Sequence, residues 1–122
     1  MAVVRLAMTS LDCADPKALG DFWAGLLDAS ILASTDDVVV VQTDTIWIGA
    51  IRVPDYVEPT FPGGTTPKHM HFDLAVQDLE AAEAEALRLG ARKSDHQPAP
   101  DEWRIFHDPA GHPFCLTANI PF

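Results

Sequence analysis

Two histidines and an aspartate, His69, His71 and Asp73, alternate with apolar residues in one short stretch. An alternation of period two places the three polar side chains on one face of a strand and the apolar ones on the other. Neighbouring imidazole and carboxylate groups can transfer a proton, bind a metal ion or hold a polar ligand. The sequence therefore predicts a half-buried strand over 69–76 whose polar face is an active site, a metal site or a ligand-binding wall.

The composition excludes several classes of partner. The chain has 122 residues and a formal net charge of −10, which fits one domain and repels nucleic-acid phosphates and anionic lipids. It shows no apolar run long enough to span a bilayer and no signal-peptide pattern. Its two cysteines are too few for a disulfide framework. We therefore expect a cytoplasmic protein with neither a nucleic-acid nor a membrane partner.

The first half of the chain predicts a strand, a helix and three more strands. Val3 to Ser10 is the first strand, because its apolar content is typical of strands. Asp15 can cap a helix that begins at Pro16 and ends near Leu27, since apolar residues recur at helical spacing between them. Three further strands are predicted: Ile31 to Thr35, Val38 to Gln42, and Ile46 to Val53.

The same order of elements returns after a stretch rich in proline and glycine, Pro54 to Lys68. The strand over 69–76 leads to a helix that Asp78 can cap and Gly90 can end. Three short strands follow: Ala91 to Lys93, Trp103 to His107, and Phe114 to Ala118. Superposing Asp15 on Asp78 aligns strand with strand and helix with helix, which indicates an internal duplication.

We therefore predict an α+β fold made of two βαβββ modules in a single domain, 1–122. Module 1 covers about 1–56, a linker about 57–67, and module 2 about 68–122. The two modules are expected to form a cupped, mixed and antiparallel sheet, with helices on the outer face and a cleft on the inner one.

Three motifs in this order resemble the vicinal oxygen chelate superfamily, and more narrowly its glyoxalase-like proteins, which stand beside glyoxalase I, extradiol dioxygenases and bleomycin-resistance proteins. The motifs are Asp15-Pro16-x-x-Leu19-x-x-Phe22-Trp23 with Leu26-Leu27, His71-x-Asp73-Leu74-x-Val76-x-Asp78-Leu79-x-Ala81-Ala82, and Asp108-Pro109-x-Gly111-x-Pro113-Phe114-Cys115-Leu116. The resemblance covers nearly the whole chain and implies the glyoxalase-like fold and a homodimer.

The resemblance also implies where a family metal site would lie. Metal-dependent members place one ligand on each of four strands, and those positions fall here at Met8, at or near Ile51, at His71 and at Cys115. One imidazole, one thiol and two apolar side chains do not hold a hard cation. The resemblance thus implies a dismantled metal site and no cofactor. The alternative is a softer divalent metal held by His71 and Cys115 with two further partners.

The candidate ligand-binding residues follow from these positions. Trp47 shares a strand face with Ile51, so the two would line the cleft together, and Asp73 lies beside His71 on the polar face. The set is Met8, Trp47, Ile51, His71, Asp73 and Cys115, with His71 as the candidate catalytic residue. Four of them have a structural alternative: His71 can be satisfied by Asp73 or by backbone, and Asp73 can make a structural hydrogen bond to a strand end. Trp47 can be an ordinary core residue, and Cys115 a small buried apolar residue. Three further histidines, His69, His107 and His112, are expected to be solvated.

Three hypotheses for function remain open. The first is a metal-independent protein that binds a small, partly apolar molecule, for sequestration, resistance or mild acid–base chemistry at His71. The second is a metal-dependent lyase or dioxygenase with a non-standard ligand set. The third is an interaction module without chemistry.

Overall fold

The computed structural model describes all residues, 1–122. The chain divides into two compact units, Met1–Tyr56 and Val57–Phe122. Each unit has one helix and one four-stranded sheet, in the order strand, helix, three strands. The predicted α+β fold of two βαβββ modules is confirmed. The linker over about 57–67 lies within the second unit. Neither helix is long and apolar enough to cross a membrane.

Unit 1 has a mixed sheet with the strand order β1-β4-β3-β2. Its elements are β1 (Met8–Cys13), α1 (Pro16–Leu26), β2 (Ser30–Ser34), β3 (Val38–Gln42) and β4 (Trp47–Arg52). The strand β1 runs parallel to β4, whereas β3 is antiparallel to both of its neighbours. This register joins the first and last strands of the unit, so that residues far apart in sequence share one face.

Helix α1 is held to this sheet by apolar packing. The Asp15 side chain accepts a hydrogen bond of 3.1 Å from the Ala18 backbone N–H and so caps the first turn. Trp23 is only 1% exposed. Gly20 packs so closely on Val39 that a Cβ atom there would collide with the valine side chain. The helix is therefore seated by close contact of apolar surfaces.

Unit 2 repeats this topology with the strand order β5-β8-β7-β6. Its elements are β5 (Phe72–Ala75), α2 (Leu79–Leu89), β6 (Arg92–Lys93), β7 (Trp103–His107) and β8 (Pro113–Thr117). Strand β5 is parallel to β8, and β7 is antiparallel to both β8 and β6. The first and last strands of the unit again lie side by side.

Helix α2 begins and ends where the sequence predicts. The Asp78 carboxylate accepts hydrogen bonds from the backbone N–H groups of Glu80 and Ala81, at 2.9 and 3.1 Å. Gly90 ends the helix in a left-handed conformation, with φ of 115°, which glycine adopts without a Cβ penalty. Both helix boundaries are thus set by single residues that the sequence pattern identifies.

Ion pairs attach α2 to its sheet. Ala86 is the one buried residue of this helix. The guanidinium of Arg104, on β7, lies 2.7 Å from Glu80 Oε1 and 3.4 Å from Glu83 Oε2. Lys93, on β6, adds a contact of 2.7 Å to Glu83 Oε1. The side chain of Arg104 is 10% exposed, so the pair is a partly buried connection between helix and sheet.

Two predicted strand boundaries are wrong. Strand β1 begins at Met8 instead of Val3, and β5 begins at Phe72 instead of His69. Each strand is limited by its ladder partner, because β1 pairs with β4 from Trp47 onward and β5 pairs with β8 from Phe114 onward. Local composition carries no information about the length of a distant partner strand, which decides where pairing starts.

Candidate functional site

The register of unit 2 brings three polar side chains together. Asp73 on β5 is the direct ladder partner of Cys115 on β8, so their side chains lie side by side on one face. His71 precedes β5 and stands on the same face by alternation. The ligating atoms of His71, Asp73 and Cys115 all lie within 4.8 Å of one another. We call these three residues the unit 2 cluster.

The cluster lies on the sheet face opposite helix α2. Arg104 reaches α2 through its ion pairs and is the ladder partner of Leu116. Because side chains alternate along a strand, Cys115 points to the other face, together with its partner Ile105. The helix therefore covers one face of the sheet, and the cluster occupies the opposite face.

His71 and Asp73 are close enough to interact directly. The distance from His71 Nε2 to Asp73 Oδ1 is 3.3 Å, and the two side chains are 33% and 48% exposed. A carboxylate at this distance can orient an imidazole ring. The remaining ring surface is open to solvent, which leaves the imidazole available to a ligand.

Cys115 is a neutral thiol at physiological pH. Burial, followed by the charge of Asp73 and a hydrogen bond to it, raises the pKa of the Cys115 thiol to about 11, with a smaller opposing effect from Lys68. A reactive cysteine needs a lowered pKa and an accessible sulfur. Cys115 is only 9% exposed, and the negative charge of Asp73 raises the pKa of its thiol instead of lowering it. The neutral thiol is therefore a poor nucleophile.

The linker brings a lysine, Lys68, close enough to Cys115 to act on its thiol, and Lys68 lies over the aromatic ring of Phe61. Neither residue was selected by the sequence analysis. Lys68 Nζ stands 4.7 Å from the centroid of the Phe61 ring, and Lys68 forms no ion pair with a carboxylate. The Phe61 ring also lies 6.5 Å from that of His107 and 6.0 Å from that of His96. A proline- and glycine-rich stretch has no periodicity that would have indicated these contacts.

The prediction that the two histidines beside the Asp-Pro-Ala-Gly turn are solvated is wrong. His107 is 4% exposed, and its Nδ1 lies 3.1 Å from the Gly111 carbonyl oxygen. His112 is half-buried, and its backbone N–H donates to Asp108 Oδ1 at 2.9 Å. The turn folds back on β7 and β8, and this closure buries both residues. His69 is exposed, as expected.

The candidate residues of unit 1 also share a face. Met8 is the ladder partner of Trp47. A Cβ atom placed on Gly49 would lie 3.5 Å from Met8 Cε and 3.5 Å from Ile51 Cδ1. Met8, Gly49 and Ile51 therefore line one face of the β1–β4 pair. Trp47 lies on the same face, because it is two residues from Gly49 on β4. This face contains thioether, aliphatic and aromatic groups, with Ser10 as its polar member.

The register refines one position that the resemblance assigned. Ser10 pairs with Gly49 in unit 1 as Asp73 pairs with Cys115 in unit 2. Ser10 precedes Asp15 by the same spacing at which Asp73 precedes Asp78. The ladder equivalent of Cys115 is thus Gly49, and Ile51 lies two residues further along the same face. Neither glycine nor isoleucine offers a donor atom for a metal.

The donor atoms that are present do not fit a hard cation. The unit 2 cluster supplies one imidazole nitrogen, one carboxylate and one thiol. Mn²⁺ and Mg²⁺ prefer sites rich in carboxylate, carbonyl and water oxygens. A single carboxylate next to a protonated thiol is a poor site for such ions.

Comparison with protein families gives one match over most of the chain. The family model described as "Glyoxalase-like domain" matches residues 8–117. No curated protein sequence matches this chain significantly.

Solved structures with the same fold have low sequence identity to this chain. The fosfomycin resistance protein FosX from Listeria monocytogenes, a mutant complexed with Mn(II) and 1S,2S-dihydroxypropylphosphonic acid, superposes with a TM-score of 0.71 at 18% identity, covering 98% of this chain and 93% of that one. FosX from Mesorhizobium loti gives 0.71 at 16% identity, covering 98% and 94%. A glyoxalase-related enzyme from Fulvimarina pelagi gives 0.67 at 15% identity, covering 93% and 86%. At this identity the likeness shows the fold.

Proposed function

This chain belongs to the glyoxalase-like domain family, and we propose that it binds a small, partly apolar molecule on the face of the unit 2 sheet that carries His71. The family match confirms the resemblance to glyoxalase-like proteins. One observation supports the proposal above the others: the unit 2 cluster, with its ligating atoms within 4.8 Å, lies on the sheet face that helix α2 does not cover.

His71 is the residue that would act on the ligand. Its side chain is 33% exposed and lies next to the Asp73 carboxylate. An imidazole can donate or accept a hydrogen bond, and it can carry a proton near neutral pH. Asp73 would hold the ring in one orientation and stabilise the imidazolium if a proton is transferred. His71 is thus suited to polar recognition and to mild acid–base chemistry.

Lys68 favours a ligand with an anionic end. The chain has 8 lysine and arginine residues against 18 aspartate and glutamate residues, yet the Lys68 ammonium, which lies over the Phe61 ring, has no carboxylate partner. It is close enough to Cys115 to oppose, in small part, the rise in the pKa of the thiol that burial and Asp73 cause. The small molecule named with the Listeria FosX structure is a phosphonic acid. A carboxylate or phosphonate on an apolar body would match this combination of charge and ring.

The proposed binding does not need the hard cation named with that FosX structure, because the donor atoms of this chain suit such an ion poorly. Adding Mn²⁺ to the protein should therefore leave ligand affinity unchanged.

A thermal-shift screen tests the proposal. The protein as purified is screened against small carboxylates and phosphonates with apolar substituents, with and without added Mn²⁺. A ligand specific to the folded state raises the melting temperature in a concentration-dependent manner. The expected result is at least one such ligand whose effect is equal with and without Mn²⁺ and is lost in His71→Ala. His69→Ala is the matched control, since it removes an exposed histidine just before the cluster and should bind like the wild type.

Two outcomes would contradict the proposal. Binding that appears only with Mn²⁺ would favour a metal-dependent lyase or dioxygenase. An equal response of His71→Ala and wild type would place the ligand elsewhere. The homodimer and the cytoplasmic location stay predictions, and sedimentation of the purified protein would test the first of them.

A further inference from the structure

Two opposite charges flank Cys115 on the face of the unit 2 cluster. Asp73 is the ladder partner of Cys115 and lies next to His71. Burial raises the pKa of the Cys115 thiol most, the charge of Asp73 and a hydrogen bond to it add to the rise, and the charge of Lys68 opposes it. Lys68 is not paired with Asp73, since its ammonium lies over the Phe61 ring. The face thus has a positive end at Lys68 and a negative end at Asp73.

The positive end is held by a loop of the linker that closes on itself. The Thr60 backbone N–H donates to the Thr66 carbonyl oxygen at 2.7 Å, and the Thr66 N–H donates to Thr60 Oγ1 at 3.1 Å. Gly64, with φ of 92°, packs so closely on Thr60 that a Cβ atom there would collide with the threonine side chain. This closure brings Lys68 back over Phe61, whose ring attracts the cation. The ammonium therefore has a preferred place before a ligand arrives.

The ring of Phe61 connects this loop to the cluster face. It lies 6.5 Å from the ring of His107. His107 is two residues from Ile105 on β7, and Ile105 is the ladder partner of Cys115. Since side chains alternate along a strand, His107 shares the face of Cys115. Lys68 is therefore positioned over the same face as the cluster.

The negative end lies beside the candidate catalytic histidine. Asp73 Oδ1 is 3.3 Å from His71 Nε2, and the Asp73 side chain is 48% exposed. An ionised carboxylate can only accept hydrogen bonds. It therefore favours a ligand group that has a hydrogen to donate, such as a hydroxyl, and it repels a second carboxylate.

We infer that the site selects acids with one anionic end and one hydrogen-bond donor, with the carboxylate or phosphonate of the ligand at Lys68 and a hydroxyl group at His71 and Asp73. Asp73 is a specificity-determining residue in this arrangement, because its charge excludes ligands that are anionic at both ends. This selection rests on the proposed function and adds to it the class of the ligand and its orientation.

Pairs of ligands of equal length test the selection by titration calorimetry on the full chain. In these pairs ω-hydroxybutanoate is compared with succinate, ω-hydroxypentanoate with glutarate, and ω-hydroxyhexanoate with adipate. Wild type should bind the best hydroxy acid at least about tenfold more tightly than its dicarboxylate partner, because like charges repel. Asp73→Asn should bring the two affinities to within about twofold by raising the affinity for the dicarboxylate. A merely structural role of Asp73 would not produce this gain.

Two variants serve as controls for charge. Asp101→Asn removes an equal charge from unit 2, but this exposed carboxylate lies near the guanidinium of Arg104, which reaches α2 on the opposite face. It should keep the wild-type preference. Lys68→Met should weaken the binding of both members of each pair, because it removes the positive end.

The salt dependence of wild type gives a second measurement that needs no variant. The preference for the hydroxy acid should shrink at high salt, since exposed charges are screened. A preference that does not change with salt would contradict a role of the Asp73 charge, even if Asp73→Asn failed to fold.

Three other results would overturn the inferred selection. They are equal affinity of wild type for both members of a pair, an unchanged preference in folded Asp73→Asn, and failure of every hydroxy acid to bind. The proposed function is judged separately by its own screen, in which a ligand of any class that is lost in His71→Ala supports it.

Discussion

Units 1 and 2 have the same topology, but they differ in the contacts that hold the helix to the sheet and in the side chains on the uncovered face of the sheet. Both have a parallel pair of first and last strands, and both begin their helix after a capping aspartate, Asp15 or Asp78. Helix α1 buries a tryptophan and packs Gly20 onto Val39. Helix α2 buries one alanine and is attached by ion pairs. The same topology is therefore stabilised in two physically different ways.

The free sheet faces differ as clearly as the helices do. The unit 1 face carries Met8, Gly49 and Ile51, whereas the unit 2 face carries Asp73 and Cys115 at paired ladder positions. The duplicated backbone places side chains at equivalent sites in both units, and only unit 2 has an imidazole, a carboxylate and a thiol there, whereas the Ser10 hydroxyl is the polar group of the unit 1 face. The shared βαβββ topology therefore sets the positions of the side chains, whereas the chemistry depends on which residues occupy those positions.

The largest expected effect is a loss of stability when the apolar packing of α1 on its sheet is removed. Trp23→Ala should lower the free energy of unfolding by about 3–5 kcal/mol, because it removes a large side chain that is 1% exposed and leaves a cavity. Urea denaturation followed by circular dichroism measures this loss. Leu87→Ala on α2 is the control, since Leu87 is 43% exposed and should cost less than about 1 kcal/mol. Equal losses in the two variants would show that the helices are held alike.

A smaller loss is expected from the ion pairs of α2. Arg104→Met should lower the melting temperature by a few degrees at neutral pH, because it leaves Glu83, whose side chain is 15% exposed, without its guanidinium partner. Arg104 holds the pKa of the Glu80 carboxyl below its usual value, mainly through a hydrogen bond. The stability from this pair is therefore present above the usual pKa and is lost as the pH falls through the lowered one.

The difference in melting temperature between wild type and Arg104→Met should accordingly shrink in acid. Melting curves from pH 7 down to about pH 3 check this dependence. A difference that stays constant over this range would mean that the arginine acts through packing rather than through charge.

Ligand charge gives a third and weaker effect. Lys68→Met should reduce the affinity for anionic ligands found in the screen by about five- to tenfold, roughly 1 kcal/mol, and leave neutral ligands unaffected. Titration calorimetry at low and high salt measures it, since screening weakens such a contact. Arg52→Met, which removes an exposed cation of unit 1, is the matched control. A uniform loss for charged and neutral ligands would contradict an electrostatic role.

The smallest effect is expected at the surface of α1. Lys17 and Asp21 are 2.6 Å apart, but their side chains are 77% and 54% exposed. Exposed pairs of this kind contribute little because water screens them. Lys17→Met should leave the melting temperature unchanged within error, and a clear decrease would show that α1 depends on charge as α2 does.

The sequence predicted most elements because their signals are local. The β-branched run Val38–Gln42 and the strand Trp103–His107 agree with the structure residue by residue, and the capping aspartates fix both helix starts. The starts of β1 and β5 were missed because pairing partners distant in the chain set them.

The features of the candidate site also fall into two groups, those with a local sequence signal and those set by tertiary contacts. Alternation in the chain placed His71 and Asp73 on one face, and the family resemblance implied that Cys115 would join them. The burial of His107 and the approach of Lys68 to Phe61 depend on how a turn and a proline- and glycine-rich loop close over the sheet. Such closures arise from tertiary contacts, for which periodicity gives no signal.

We propose that the unit 2 face carries the polar chemistry of this protein. The most direct test is the binding affinity of the best ligand from the screen, measured side by side for wild type, His71→Ala and Met8→Ala. We expect a loss of at least tenfold in His71→Ala and wild-type affinity in Met8→Ala, because the Met8 side chain belongs to unit 1. Wild-type affinity in His71→Ala together with lost binding in Met8→Ala would contradict it.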